Sequence, residues 1–142
     1  MISKLRSKAK SKKGFTLVEL IVVIVIILIL AAVMVPSMLK YIDRANKANC
    51  KADAATILSQ VQADYAASQA SEQTDVTANW TDGSYKIDGV PVKTGDIAAV
   101  ANKNAVFAVT DKNGYSEITA FAYNNGKYTA VWDGTKWEVK KN

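Results

Sequence analysis

The chain has 142 residues, 18 Lys plus Arg against 13 Asp plus Glu, no His, one Cys and a formal charge of +5. That length bounds it to one modest domain with accessories. The absence of His removes the usual ligand or base of zinc, haem and Ser-His-Asp chemistry. A basic balance points to nucleic acid only if the charge lies on the folded domain.

It does not lie there. Lys4, Arg6, Lys8, Lys10, Lys12 and Lys13 all fall within residues 1–14, with no acid among them. The rest of the chain then carries a side-chain charge of −1, and no direct nucleic-acid binding is predicted. Residues 15–35 read FTLVELIVVIVIILILAAVMV, with Glu19 as the single charge. At about 1.5 Å per helical residue the run spans roughly 30 Å, the thickness of a bilayer's hydrocarbon core. The Lys-rich side is expected to stay cytoplasmic. A secretory signal peptide has a shorter apolar run and a small-x-small cleavage site. A lipoprotein site needs a Cys directly after the run, and Cys50 comes too late.

A plain anchor does not explain Glu19. A carboxylate in a membrane helix costs about 2.5–3.5 kcal/mol when central and less near the interface. Snorkelling to the cytoplasmic interface is one way to meet that cost. A partner cation is the other. Cleavage between Gly14 and Phe15 would remove the six bases and create an α-amino group four residues before Glu19. One subunit's Glu19 could then neutralise a neighbour's new N-terminus and fix an axial register.

The run KKG-FTLVEL followed by an unbroken apolar helix resembles the processing motif of the bacterial type IV pilins and the related pseudopilins. The resemblance runs from Lys12 to about Pro36. It implies a prepilin peptidase that cuts after Gly14 and methylates the new N-terminus, Phe15. It further implies that Glu19 docks the subunit into a growing filament, and Pro36 matches a proline common in that family. The implied partners are identical or homologous pilin subunits, the peptidase, the pilus assembly platform with its ATPase, and the cytoplasmic membrane before assembly. The implied location is the cytoplasmic membrane as a single-pass precursor with its N-terminus cytoplasmic, then the cell surface. Twitching, adhesion, aggregation and DNA uptake would be properties of the filament.

Pro36 removes a backbone donor and clashes with the preceding turn, which predicts a kink over residues 33–36. The helix is expected to continue, because residues 37–72 hold no Gly or Pro. Met38, Leu39, Ile42, Ala45, Ala48, Ala52, Ala55, Leu58, Val61 and Tyr65 predict an apolar stripe. Lys40, Asp43, Arg44, Lys47, Lys51, Gln60 and Asp64 make the opposite side polar. Asp43 and Lys47 form a favourable i,i+4 pair.

Residues 71–84 read as a polar loop with Trp80 as a packing anchor. Extended segments flank Asp88-Gly89, and Pro91 argues against a central strand. Residues 95–104 read as a short helical turn or loop. Four alternating segments follow, 105–110, 115–123, 127–132 and 136–140. Asn113-Gly114, Asn125-Gly126 and Asp133-Gly134 separate them as hairpin turns. Phe107, Val109, Ile118, Ala120, Ala122, Val131 and Trp137 are predicted to face inward, covered by the amphipathic half of the helix. Tyr123, Tyr128, Trp132 and Trp137 read as cross-strand aromatic pairs.

The predicted fold is α+β and pilin-like: one very long N-terminal helix on a four-stranded antiparallel meander. Its divisions are a cleaved leader 1–14, a membrane or filament-core helix 15–36, an amphipathic helix 37–72, a connecting region 73–104 and a sheet 105–142. No catalytic residue, metal ligand or cofactor is predicted. Asp111 to Gly114 resembles a fragment of a calcium loop, but a hairpin turn accounts for it. Cys50 has no intrachain partner, so the two-cysteine loop of many pilins is missing. A pseudopilin of a secretion or competence system would be built the same way. A membrane-anchored binding module is the reading from another class, and it predicts a monomer uncleaved at Gly14.

Overall fold

In a computed structural model the described residues are 14–70, 80–112 and 115–142, with the side chains of Lys112 and Tyr115 left aside. The leader up to Lys13, the first part of the predicted loop (71–79) and the Asn113-Gly114 turn lie outside them. One α-helix, α1 (Leu17–Ala70), is followed by β1 (Lys86–Ile87), β2 (Val90–Thr94), β3 (Ala105–Lys112), β4 (Tyr115–Asn124), β5 (Tyr128–Trp132) and β6 (Trp137–Lys141). The chain divides between Ile42 and Asp43 into two compact units. Pro36 lies inside α1, which continues beyond it.

In the first unit, every large apolar side chain from Phe15 to Ile42 is exposed. This helical stretch is long and apolar enough to cross a membrane, and its most apolar part is not buried at all.

The second unit holds the sheet, six strands in sequential order. That corrects the predicted four-stranded antiparallel meander. The four predicted strands are β3 to β6, paired antiparallel. Two more come from the region read as a connection. Asp88 and Gly89 both take positive φ, +49° and +81°. That combination makes the primed two-residue turn that closes a hairpin, here between β1 and β2. β2 then pairs parallel with β3, after a crossover over residues 95–104 that contains a 3-10 turn, Ile97–Ala99. Pro91 is tolerated inside the sheet for two reasons. Val92 N–H donates to Tyr85 O at 2.9 Å, so the adjoining pair Lys86↔Pro91 is the one without ladder bonds. The ladder to β3 starts only at Val92.

The core lies between α1 and one face of the sheet. Cys50, Ala54, Ile57, Leu58, Val61 and Tyr65 are buried on the helix. The predicted stripe was right at Leu58, Val61 and Tyr65. It was wrong in phase before them, where Ala45, Ala48 and Ala52 are exposed. Alanines carry little hydrophobic signal, so they could not fix the phase. Trp80 is 4% exposed and anchors the loop end as expected. Its ring meets Tyr65 and Phe107 edge-on, with centroids 6.3 and 5.4 Å away.

On the sheet the inward residues include Phe107, Ile118, Phe121, Tyr123, Tyr128 and Ala130. The expected inward run Ile118, Ala120, Ala122 fails after its first member. The register slips between Ala108 and Val109, so that Ala108 pairs with Ala120 and Val109 with Ile118. Thr119 is the extra residue of a β-bulge, and one extra residue turns every later side chain of β4 to the other face. Val131 follows, because it pairs with Ala122. Val106 and Ala122 are still buried, paired with each other across the sheet, on the face opposite α1. Of the expected cross-strand aromatic pairs only Trp132 with Trp137 forms, across β5 and β6; Tyr123 and Tyr128 are buried and stand opposite Ala130 and Lys141.

Candidate functional site

The N-terminal residues build the site locally. Gly14 is exposed and Phe15 is 86% exposed. Thr16 precedes the first helical residue and acts as the N-cap. Glu19 N–H donates to Thr16 Oγ1 at 3.2 Å, and Leu20 N–H donates to Thr16 O at 3.1 Å. Thr-x-x-Glu is the spacing of a capping box, whose hydroxyl satisfies one of the free N–H groups of the first turn. Sequence reasoning passed over Thr16, although this spacing was the signal for it.

Glu19 therefore sits in the first turn of α1, at the positive end of the helix dipole. Its carboxylate has no hydrogen bond or ion pair among the described residues. Gly14 and Phe15 precede the helix and Glu19 lies in its first turn, so the three are close in sequence. Pro36 lies apart from them, further along α1. What this arrangement offers chemically is an exposed Gly-Phe segment, followed by an acid with no partner among the described residues at the head of an exposed apolar helix.

A second grouping holds α1 against the sheet. Tyr128 Oη donates to Asp43 Oδ1 at 2.6 Å, and Lys47 Nζ lies 3.2 Å from Asp43 Oδ2. The latter is the i,i+4 pair expected from sequence. Two turns on, the Cys50 thiol donates to Tyr128 O at 3.6 Å. One residue of β5 thus grips the helix at two points seven residues apart. No local signal in β5 marks Tyr128 as turning inward to an acid. The Tyr128 hydroxyl, then Lys47, hold the Asp43 carboxyl below its ordinary 3.8. Burial pushes the Cys50 thiol up.

A carboxyl lowered by folding adds stability above its unfolded pKa, and that contribution is lost as pH falls through the folded pKa. For Asp43 the window lies below 3.8. Tyr128→Phe is therefore expected to lower the urea midpoint of the full chain at neutral pH. The gap to wild type should narrow as pH falls below 3.8 and the Asp43 carboxyl protonates in both proteins. Asp133 also titrates below its ordinary 3.8. Backbone N–H groups of Lys136 and Thr135, with the Thr135 hydroxyl, pull it down to about 2. It is common to both proteins and drops out of the comparison. An equal gap at neutral and acid pH would show that the bond owes nothing to the carboxylate charge.

Among the described residues no group of three or more His, Cys, Asp or Glu converges to hold a metal. Asp111, the first residue of the calcium-like fragment, accepts a hydrogen bond from Ser116 Oγ. Fold and site together define an α+β protein in which, among the described residues, one helix is of membrane-spanning length and no other described residue covers its apolar half. A family model of the prokaryotic N-terminal methylation motif matches residues 9–35. This motif is the leader signature of type IV pilins and pseudopilins. Comparison with curated proteins and with solved structures finds no match.

Proposed function

We propose that the chain is the precursor of a structural subunit of a type IV pilus. It is inserted in the cytoplasmic membrane through residues 15–36, cleaved after Gly14, methylated on Phe15 and extracted into a helical filament. One observation carries the reading. The methylation motif, residues 9–35, runs into a helix that leaves every large apolar side chain up to Ile42 exposed. Lipid can cover that surface before assembly, and parallel helices of other subunits can cover it afterwards. Leaving it in water is excluded by cost, at about 25 cal/mol per Å² of apolar surface. The subunit is not proposed as an enzyme and needs no cofactor. Its working partners are other copies, the prepilin peptidase and the assembly platform with its ATPase. Adhesion and twitching motility would belong to the assembled fibre.

Processing is tested at Gly14. A Cβ built there meets nothing within 4 Å, so the chain itself tolerates a side chain. Gly14→Leu is therefore expected to fold and insert normally while the peptidase rejects it. Mass spectrometry should find surface protein beginning at methylated Phe15 in wild type. The variant should stay in the membrane with residues 1–14 attached. Surface material retaining the leader would overturn the proposal. Electron microscopy, with antibody to residues 85–142, distinguishes long pili from the short pseudopilus of a secretion or competence system.

A further inference from the structure

The two flanks of α1 beside its buried face carry opposite charge. At 3.6 residues per turn, Arg44, Lys47 and Lys51 fall within about 60° of one another, and Asp53 lies about 180° from Arg44. Asp53, Thr56, Gln60 and Asp64 share that second flank, and the buried residues Cys50 to Tyr65 lie between the two. Lys47 is paired with Asp43. Arg44 and Lys51 have no acid partner among the described residues, and neither Asp53 nor Asp88 has a basic one.

The acidic flank is concave. A cavity of about 260 Å³ opens between α1 and the β1–β2 hairpin, lined by Asp53, Thr56, Ile57, Asp88, Val90 and Tyr123. A neighbouring cavity of about 340 Å³ shares Thr56 and Asp88 and extends the groove past Asp64, with Lys86 on its far wall leaving the acids of the first cavity as the cation's end. Tyr123 gives an independent sign that the first cavity takes a ligand. Its side chain is only 9% exposed, and its hydroxyl has no hydrogen-bond partner among the described residues. Among the described residues no fully buried side-chain oxygen lacks a partner, so this hydroxyl is accessible through the cavity it lines.

Two unpaired carboxylates, two hydroxyls and two apolar walls suit one kind of group, a long aliphatic stem ending in a cation. The stem would lie along Ile57 and Val90 while the charged head meets oxygen acceptors. We propose that this cavity receives Lys51, with Arg44 beside it, from a second copy of the chain. The donor and acceptor surfaces differ and lie on opposite sides of the helix. Such a contact is heterologous, and when its rotation does not close it generates an open helical filament. Exposed ion pairs add little affinity. Their effect is to select the partner and fix its register. The inference rests on the filament reading and names the faces that meet.

Carbodiimide treatment of filaments made by the wild-type chain is expected to give dimers. The dimer band should yield a peptide joining Lys51 to Asp88. Arg44→Glu with Lys51→Glu should cut filament yield about tenfold, because like charges then face each other. Asp53→Lys with Asp88→Asn should do the same. Asn is chosen at Asp88 because it keeps the positive φ of the turn. A chain carrying all four changes should return to within about twofold of wild type, since complementarity is restored with the signs exchanged. Filaments that form normally from both reversed chains, with no Lys51–Asp88 peptide in wild type, would overturn the docking and leave the filament reading standing. Asp88 joined to an unrelated protein would also overturn it. Wild-type chain found only as uncleaved membrane monomer would remove both.

Discussion

Phe107→Ala is expected to lower the stability of the sheet unit by about 3–5 kcal/mol, the usual cost of deleting a buried aromatic ring. Phe107 has no exposure and stands directly opposite Phe121 on β4. Its ring meets Tyr65 of α1 and Trp80 edge-on, with centroids at 5.8 and 5.4 Å and planes at 73° and 86°. Helix, sheet and the end of the preceding loop therefore converge on one side chain. The cavity left by Ala cannot be filled by any one of them without disturbing the other two. Small domains hold about 5–15 kcal/mol in total, so the loss is a large fraction of what is available. The check is a urea titration of the full chain in detergent, followed by tryptophan fluorescence. Phe107→Leu keeps most of the volume and should shift the midpoint less. Equal midpoints for wild type and Phe107→Ala would show that the core is centred elsewhere.

This cluster also marks how far the sequence could be read. Phe107 and Tyr65 were legible as inward residues because each lies in a clear period, two on the strand and near 3.6 on the helix. Trp80 was legible as an anchor because a lone indole in a polar loop gains most by burial. Phe121 was not, because the bulge at Thr119 moves the phase of β4 by one residue and no local signal marks it. The β1–β2 hairpin was half legible. Asp88-Gly89 announced the turn, but Pro91 was read as barring a central strand. What admits Pro91 is its non-bonded position against Lys86, a matter of register that emerges only when the strands pair. The parallel β2–β3 contact was beyond reach for the same reason. At the N-terminus the order was reversed. A short motif singles out Gly14, Phe15 and Glu19 as residues to test, while the cap at Thr16 was missed although its spacing was on view. The grip of Tyr128 on Asp43 joins residues far apart in sequence, and neither residue alone predicts it.

Glu19→Gln is expected to stop filament assembly while leaving helix formation and membrane insertion intact. Two roles for Glu19 must be separated. One is local, since Glu19 occupies the third helical position after the Thr16 cap. A glutamine serves there nearly as well as a glutamate. The other is the proposed neutralisation of a neighbour's N-terminus, which needs the negative charge. In low-dielectric surroundings an unpaired amine and an unpaired carboxylate are each strongly unfavourable, so removing one partner leaves the other exposed to the full penalty. A difference of about 3–5 kcal/mol per subunit would reduce the association constant by two to four powers of ten. The measurement is sheared filament yield per inserted subunit for wild type, Glu19→Gln and Glu19→Ala, with leader cleavage followed in parallel. Loss in both variants with normal cleavage and insertion assigns the charge to docking. Loss in Glu19→Ala alone would assign Glu19 to the cap. Wild-type yield from both would remove Glu19 from assembly, and the apolar surface of residues 15–42 would then have to set the axial register alone.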